Sequence, residues 1–109
     1  MKLNHSVIGA LVLAFGIVLG FTSPVAAQDG AATYKTKCVS CHAADGSGSA
    51  VGKKLGAHDF RAADVQKMSD AELSDLIAKG KNKMPAYEKS LKAEEIQGLV
   101  AFIRTLAAK

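Results

Sequence analysis

Past residue 27 the chain has little with which to build a hydrophobic interior. Of the 82 residues from Gln28 to Lys109, 36 are apolar, but 15 of those are alanine and two are cysteine, leaving 19 larger side chains. A domain near 80 residues is marginal even with an ordinary core, and chains this short usually add a disulfide, a metal or another staple. The composition therefore points to a filler beyond the aliphatic side chains. The full length of 109 residues allows one small domain and excludes a multidomain enzyme.

The first 27 residues are different in kind, with 17 of them apolar. Lys2 is followed by fifteen uncharged residues from Val7 to Phe21, then Thr22-Ser23-Pro24 and the small-residue stretch Val25-Ala26-Ala27. This is the layout of a secretory signal peptide, with removal expected after Ala27. A spanning helix needs about 20 apolar residues, so an uncleaved anchor is the weaker reading. The segment has no cysteine to carry a lipid and no Arg-Arg pair, which points to general secretion in an unfolded state. Residues 1–27 are thus expected to be the cleaved signal, and 28–109 a single domain. That domain keeps 13 basic and 10 acidic residues, a net charge of +3. So mild an excess does not suit a nucleic-acid binder.

Within 28–109 the pattern is helical and shows no strand periodicity. Asp29 is a candidate N-cap for a first helix that places Tyr34, Cys38 and Cys41 on one face. From Ala43 to Gly56 the chain is rich in Gly, Ser and Ala and reads as a loop. Ser69 and Glu72 form a capping box, with Met68 and Leu73 as its hydrophobic staple and Gly80 as the stop. A helix from about Asp70 to Lys79 follows, burying Leu73, Leu76 and Ile77. The loop 81–87 contains Met84-Pro85, whose proline biases Met84 toward extended backbone. The final helix, with Ser90 as candidate cap, carries Ile96, Leu99, Val100, Ile103, Leu106 and Ala107 as one apolar stripe.

The chemistry is concentrated in Cys38-Val39-Ser40-Cys41-His42. Two thiols at this spacing can each add to one vinyl group of a haem, and the histidine that follows is carried beneath the iron. The spacing is that of c-type haem attachment. Two other readings compete: a redox disulfide, which usually sits in a βαβ context absent here, and a zinc site built from Cys38, Cys41, His42 and His58. Export, the thin core and Met84 in its proline-fixed loop all favour the haem. Met84 could also be an ordinary core methionine, but it lies outside every apolar stripe. Tyr34 and Tyr87 read as packing residues beside the pocket, and Lys53, Lys54, Lys81 and Lys83 as a solvated face.

With these residues in place, the chain resembles class I cytochrome c, in particular its small soluble bacterial and algal members. The resemblance spans essentially all of 28–109. It implies an all-α fold of three to four helices around one covalently bound haem c, attached through Cys38 and Cys41. It implies His42 and Met84 as axial iron ligands, and a terminal helix crossing the first, with Gly30 and Phe102 in the places where a glycine meets an aromatic. The implied function is single-electron shuttling and not catalysis, with a haem enzyme or gas-reactive domain as the alternative if Met84 is labile. Redox proteins with acidic docking patches are the implied partners. The protein is expected to act as a monomer, bound neither to nucleic acid nor stably in a membrane, in the bacterial periplasm or else a photosynthetic lumen. Two departures stand out: the loop after His42 has no proline whose carbonyl would receive the imidazole N–H, and the chain has no tryptophan.

Overall fold

The computed structural model describes Gly16 and residues 24–107, so most of the apolar run read as a signal lies outside the described residues. Six helices follow one another: α1 (Pro24–Lys37), α2 (Val39–His42), α3 (Ala50–Lys54), α4 (Ala63–Gln66), α5 (Asp70–Lys79) and α6 (Ala93–Thr105). Three are long and three are single turns, so short helices add to the three or four that the resemblance implies. Among the described residues the only β pairing is an isolated bridge between Lys81 and Met84.

Local chemistry explains most boundaries. The Ser69 side chain accepts from the Glu72 N–H at 3.1 Å while the Glu72 carboxylate accepts from the Ser69 N–H at 2.7 Å, which starts α5 where the capping box predicts. Gly80 ends it at φ 71°, in the left-handed region open to glycine. Two expected caps are corrected. Asp29 lies inside α1, because the helix already begins at Pro24, a residue whose fixed φ and missing N–H suit a first helical position. Ser90 does not cap α6 either. Its hydroxyl and its N–H both turn back to the Tyr87 carbonyl. The helix starts instead at Ala93, where the Glu95 carboxylate accepts from the Lys92 N–H at 2.7 Å.

The long helices meet through α1 and α6. A Cβ on Gly30 would overlap the Gly98 carbonyl, so the two backbones touch directly. Gly30 faces Gly98, and the Phe102 ring lies one helical turn on, 4.8 Å from the ring of Tyr34. Tyr34, Val65, Leu73, Ile77, Leu91, Ile96, Leu99, Val100 and Ile103 form the buried core. Leu76 is only half-buried, while Leu73 and Ile77 of the same stripe are fully in. Arg104 closes the far end of α6 onto α4 and α5, donating to the carbonyls of Gln66 and Met68 and to the Asp70 carboxylate.

Gly30→Ala should destabilise the protein by about 1–3 kcal/mol, the usual cost of forcing extra volume into a packed contact. Ser69→Ala should cost about 1 kcal/mol through the lost cap. Urea denaturation of the purified proteins measures both, and a Gly30→Ala chain as stable as its parent would contradict the α1–α6 contact.

Candidate haem site

The segment that carries the cysteines is held at both ends by tyrosine hydroxyls. Tyr34, on α1, donates to the Ala43 carbonyl at 2.6 Å, immediately after His42. Tyr87, from the loop after α5, donates to the Lys37 carbonyl at 3.2 Å, immediately before Cys38. Ala43 itself takes φ 60° and ψ 165°, a backbone state rare for a residue with a Cβ. Such strain costs about 1–3 kcal/mol and persists where surrounding bonds over-determine it. Here the Ala43 carbonyl also accepts from the Gly46 N–H, and its own N–H donates to Val39.

α3 packs on the other side of the segment. The Ser49 hydroxyl donates to the Ser40 carbonyl at 2.7 Å and accepts from the Gly52 N–H at 3.0 Å, capping α3 and tying it to α2 together. A Cβ on Gly52 would overlap the Cys41 carbonyl, so only glycine allows this approach.

A narrow apolar cleft of about 20 Å³ opens beside this assembly, lined by Tyr34, Cys38, His42, Phe60, Ile77, Met84, Tyr87, Leu99 and Ile103. Three of the four residues singled out from the sequence therefore share one cavity, although Met84 is 42 positions from His42. Cys41 is half-buried and is not among the residues lining the cleft. Met84 reaches it because the Lys81–Met84 bridge closes the loop and the Tyr87 N–H bonds back to Ile77 and Ala78 at the end of α5. Gly80 is required there, since a Cβ would press on the backbone of Met84 and Pro85.

The electrostatics are those of an apolar pocket. Burial pushes the Cys38 thiol up to about 11, with the neighbouring Cys41 adding to the shift, so Cys38 is a neutral thiol and not a reactive thiolate. Burial also lowers the His42 pKa, favouring the neutral imidazole, the form that binds metal. Its Nδ1 is buried with no hydrogen-bond partner among the described residues. The Tyr34 and Tyr87 phenols are both raised, burial being the main cause. A neutral imidazole, a thioether and a thiol on apolar walls suit a haem. The walls must part to admit it, since a cleft of about 20 Å³ is far smaller than the roughly 300–1,000 Å³ of usual ligand sites.

The competing metal reading finds no support. His58 is exposed and pairs with Asp64 at 3.4 Å, and among the described residues no three His, Cys, Asp or Glu side chains are grouped to hold a metal ion. Cys38 and Cys41 are both free thiols. Phe60, Gly52, Gly98 and Ala43 have no signal in the sequence that would mark them as parts of the site. Each acts through a contact distant in the chain or through a backbone angle.

Comparison with known proteins identifies the family. The family described as "Cytochrome C oxidase, cbb3-type, subunit III" matches residues 25–103. The chain is 35% identical to a cytochrome c6 of Nostoc sp., an alignment covering 86% of this chain and 87% of that one. It is 32% identical to cytochrome c-555 of Methylococcus capsulatus, covering 94% and 82% respectively. Among solved structures it is similar to the KustC0563 c-type cytochrome, with a TM-score of 0.70 at 33% identity, covering 73% of this chain and 99% of the other. The chain therefore belongs to the cytochrome c family, carrying the domain that the cbb3-type subunit III model describes, and is an electron carrier with covalently bound haem c rather than an enzyme.

Proposed function

We propose that Cys38 and Cys41 hold the haem through thioether bonds, that His42 and Met84 ligate its iron from opposite sides, and that the protein shuttles single electrons between exported redox partners. The observation that carries this reading is the convergence of Cys38, His42 and Met84 on one apolar cleft. When bound, the haem supplies a one-electron iron couple whose potential its axial ligands tune. The chain does the rest. His42 and Met84 would hold the iron between them, and with both bound the metal would offer no position to a substrate. The thioether of Met84, a soft ligand, would raise the potential. Tyr34, Ile77, Leu99 and Ile103 keep water from the cleft, and the backbone bonds of Tyr87 hold the Met84 loop in place.

Cys38 as a half-buried, neutral thiol bears on assembly. Adding S–H across a vinyl bond needs no oxidant, but a thiol held neutral by partial burial is a poor nucleophile. Attachment therefore belongs before folding is complete, in keeping with export of an unfolded chain and removal of residues 1–27. The destination is the periplasm, and the mature protein works there as a soluble monomer. Lys53, Lys54, Lys81 and Lys83 are exposed, the last two within the Met84 loop. They suit docking onto acidic patches of a partner.

Met84→Ala should leave the haem attached while lowering the potential and opening the iron to carbon monoxide; redox titration and the visible spectrum under carbon monoxide check both. Cys38→Ala should greatly reduce haem-loaded protein, read by haem stain on a denaturing gel, and a normal yield would contradict the attachment scheme. Electron-transfer rates to an acidic partner should fall as salt rises, because exposed charges are screened over about 10 Å at 0.1 M. A rate independent of salt would remove the lysines from the docking face.

A further inference from the structure

A histidine that binds iron usually has its ring plane fixed by a hydrogen bond from its second nitrogen. Here the buried Nδ1 of His42 meets no such partner among the described residues, and the loop that follows has no proline to offer a carbonyl. Something else touches the ring. The Phe60 side chain lies on the His42 imidazole with centroids 4.3 Å apart and planes inclined by 23°. We propose that Phe60 is a positioning residue that sets the plane of the His42 imidazole by stacking on its face. The inference rests on His42 as a haem ligand.

The stack is compatible with ligation because an imidazole lone pair lies in the ring plane. A neighbour on the face restricts rotation and blocks neither nitrogen. Offset aromatic pairs of this kind favour one ring orientation by roughly two- to twelvefold beyond what their buried area contributes.

Phe60 is itself held from three directions. Its N–H donates to the Gly46 carbonyl at 2.9 Å. Its carbonyl accepts from Gln66 Nε2 at 2.6 Å, and the same amide nitrogen donates to the Ile103 carbonyl of α6 at 3.1 Å. Gly46, at φ 79°, also leaves room for the Phe60 side chain, since a Cβ there would sit 3.0 Å from Phe60 Cβ and 2.9 Å from Leu106 Cδ1. The Tyr34 ring meets Phe60 edge-on at 6.4 Å. Gly46, Gln66 and α6 together therefore aim one aromatic ring at the imidazole. Phe60 otherwise belongs to no apolar stripe of a long helix.

The test uses haem-loaded protein in the oxidised state, comparing the parent with Phe60→Leu and Phe60→Tyr. The hyperfine-shifted haem methyl resonances in the proton NMR spectrum report the orientation of the axial ligand planes. Phe60→Tyr, which keeps the ring, should preserve the parent's order and spread of methyl shifts. Phe60→Leu should lose them, giving a reordered or narrowed pattern. A Phe60→Leu protein with the parent's pattern overturns the proposal. If that variant does not accumulate, Gln66→Leu serves instead: it frees the Phe60 carbonyl and should narrow the spread, and an unchanged pattern there overturns the proposal equally. A parent protein without thioether-linked haem, seen as a colourless band by haem stain, would instead sink the ligation reading beneath it.

Discussion

The crossing of α1 and α6 rests on two bare backbones, Gly30 against Gly98. Side chains of ordinary size at either position would hold the helix axes apart. With the axes close, Tyr34, one turn after Gly30, reaches Phe102, one turn after Gly98. The same face of α6 then turns Leu99 and Ile103 toward the cleft, while the end of α1 delivers Cys38 to its rim. A core with so few large side chains cannot place a cofactor wall by bulk alone. It does so by bringing backbone close to backbone at one point and letting helix periodicity set the rest.

From that crossing, hydrogen bonds spread outward to fix two segments far apart in sequence. The attachment segment is gripped by Tyr34 at Ala43 and by Tyr87 at Lys37. Because Tyr87 also belongs to the Met84 loop, its hydroxyl links the proposed sixth-ligand segment to the start of the attachment segment. The position of one proposed ligand is thereby coupled to that of the other through protein, independently of any iron. The strained Ala43 fits this scheme, since its carbonyl receives both the Tyr34 hydroxyl and the Gly46 N–H.

Local signals in the sequence were legible where a few adjacent residues decide the outcome. Ser69, Glu72 and Gly80 delimit α5 as expected, and Ile96, Leu99, Val100 and Ile103 are buried along α6. Caps misled where two chemistries competed for one residue. Ser90 is a good cap by type, but its hydroxyl is taken by a turn at Tyr87, and a charged pair of glutamates starts α6 later. The motif residues were legible because attachment chemistry demands a fixed spacing. Phe60 and Gly98 were not, because each works through a partner across the fold: Phe60 through His42 and Gln66, Gly98 through Gly30. No periodicity links such pairs, and only the folded backbone brings them together.

The way the two proposed ligands are held bears on the speed of a carrier. Electron transfer is fast when little moves between oxidation states, so each ligand should be fixed by bonds that do not depend on the charge at the iron. His42 sits on a helical turn backed by Gly52 and Ser49, with its ring against Phe60. Met84 sits in a loop closed at Lys81 and anchored to α5 through the Tyr87 N–H. These are neutral hydrogen bonds, backbone contacts and an aromatic stack, and none of them contains an ionised partner. The ion pairs among the described residues, such as Arg61 with Asp59 and Arg104 with Asp70, include no residue that lines the cleft. A charge change within the cleft therefore meets a frame made of dipoles already committed to one another, which have little freedom to reorient.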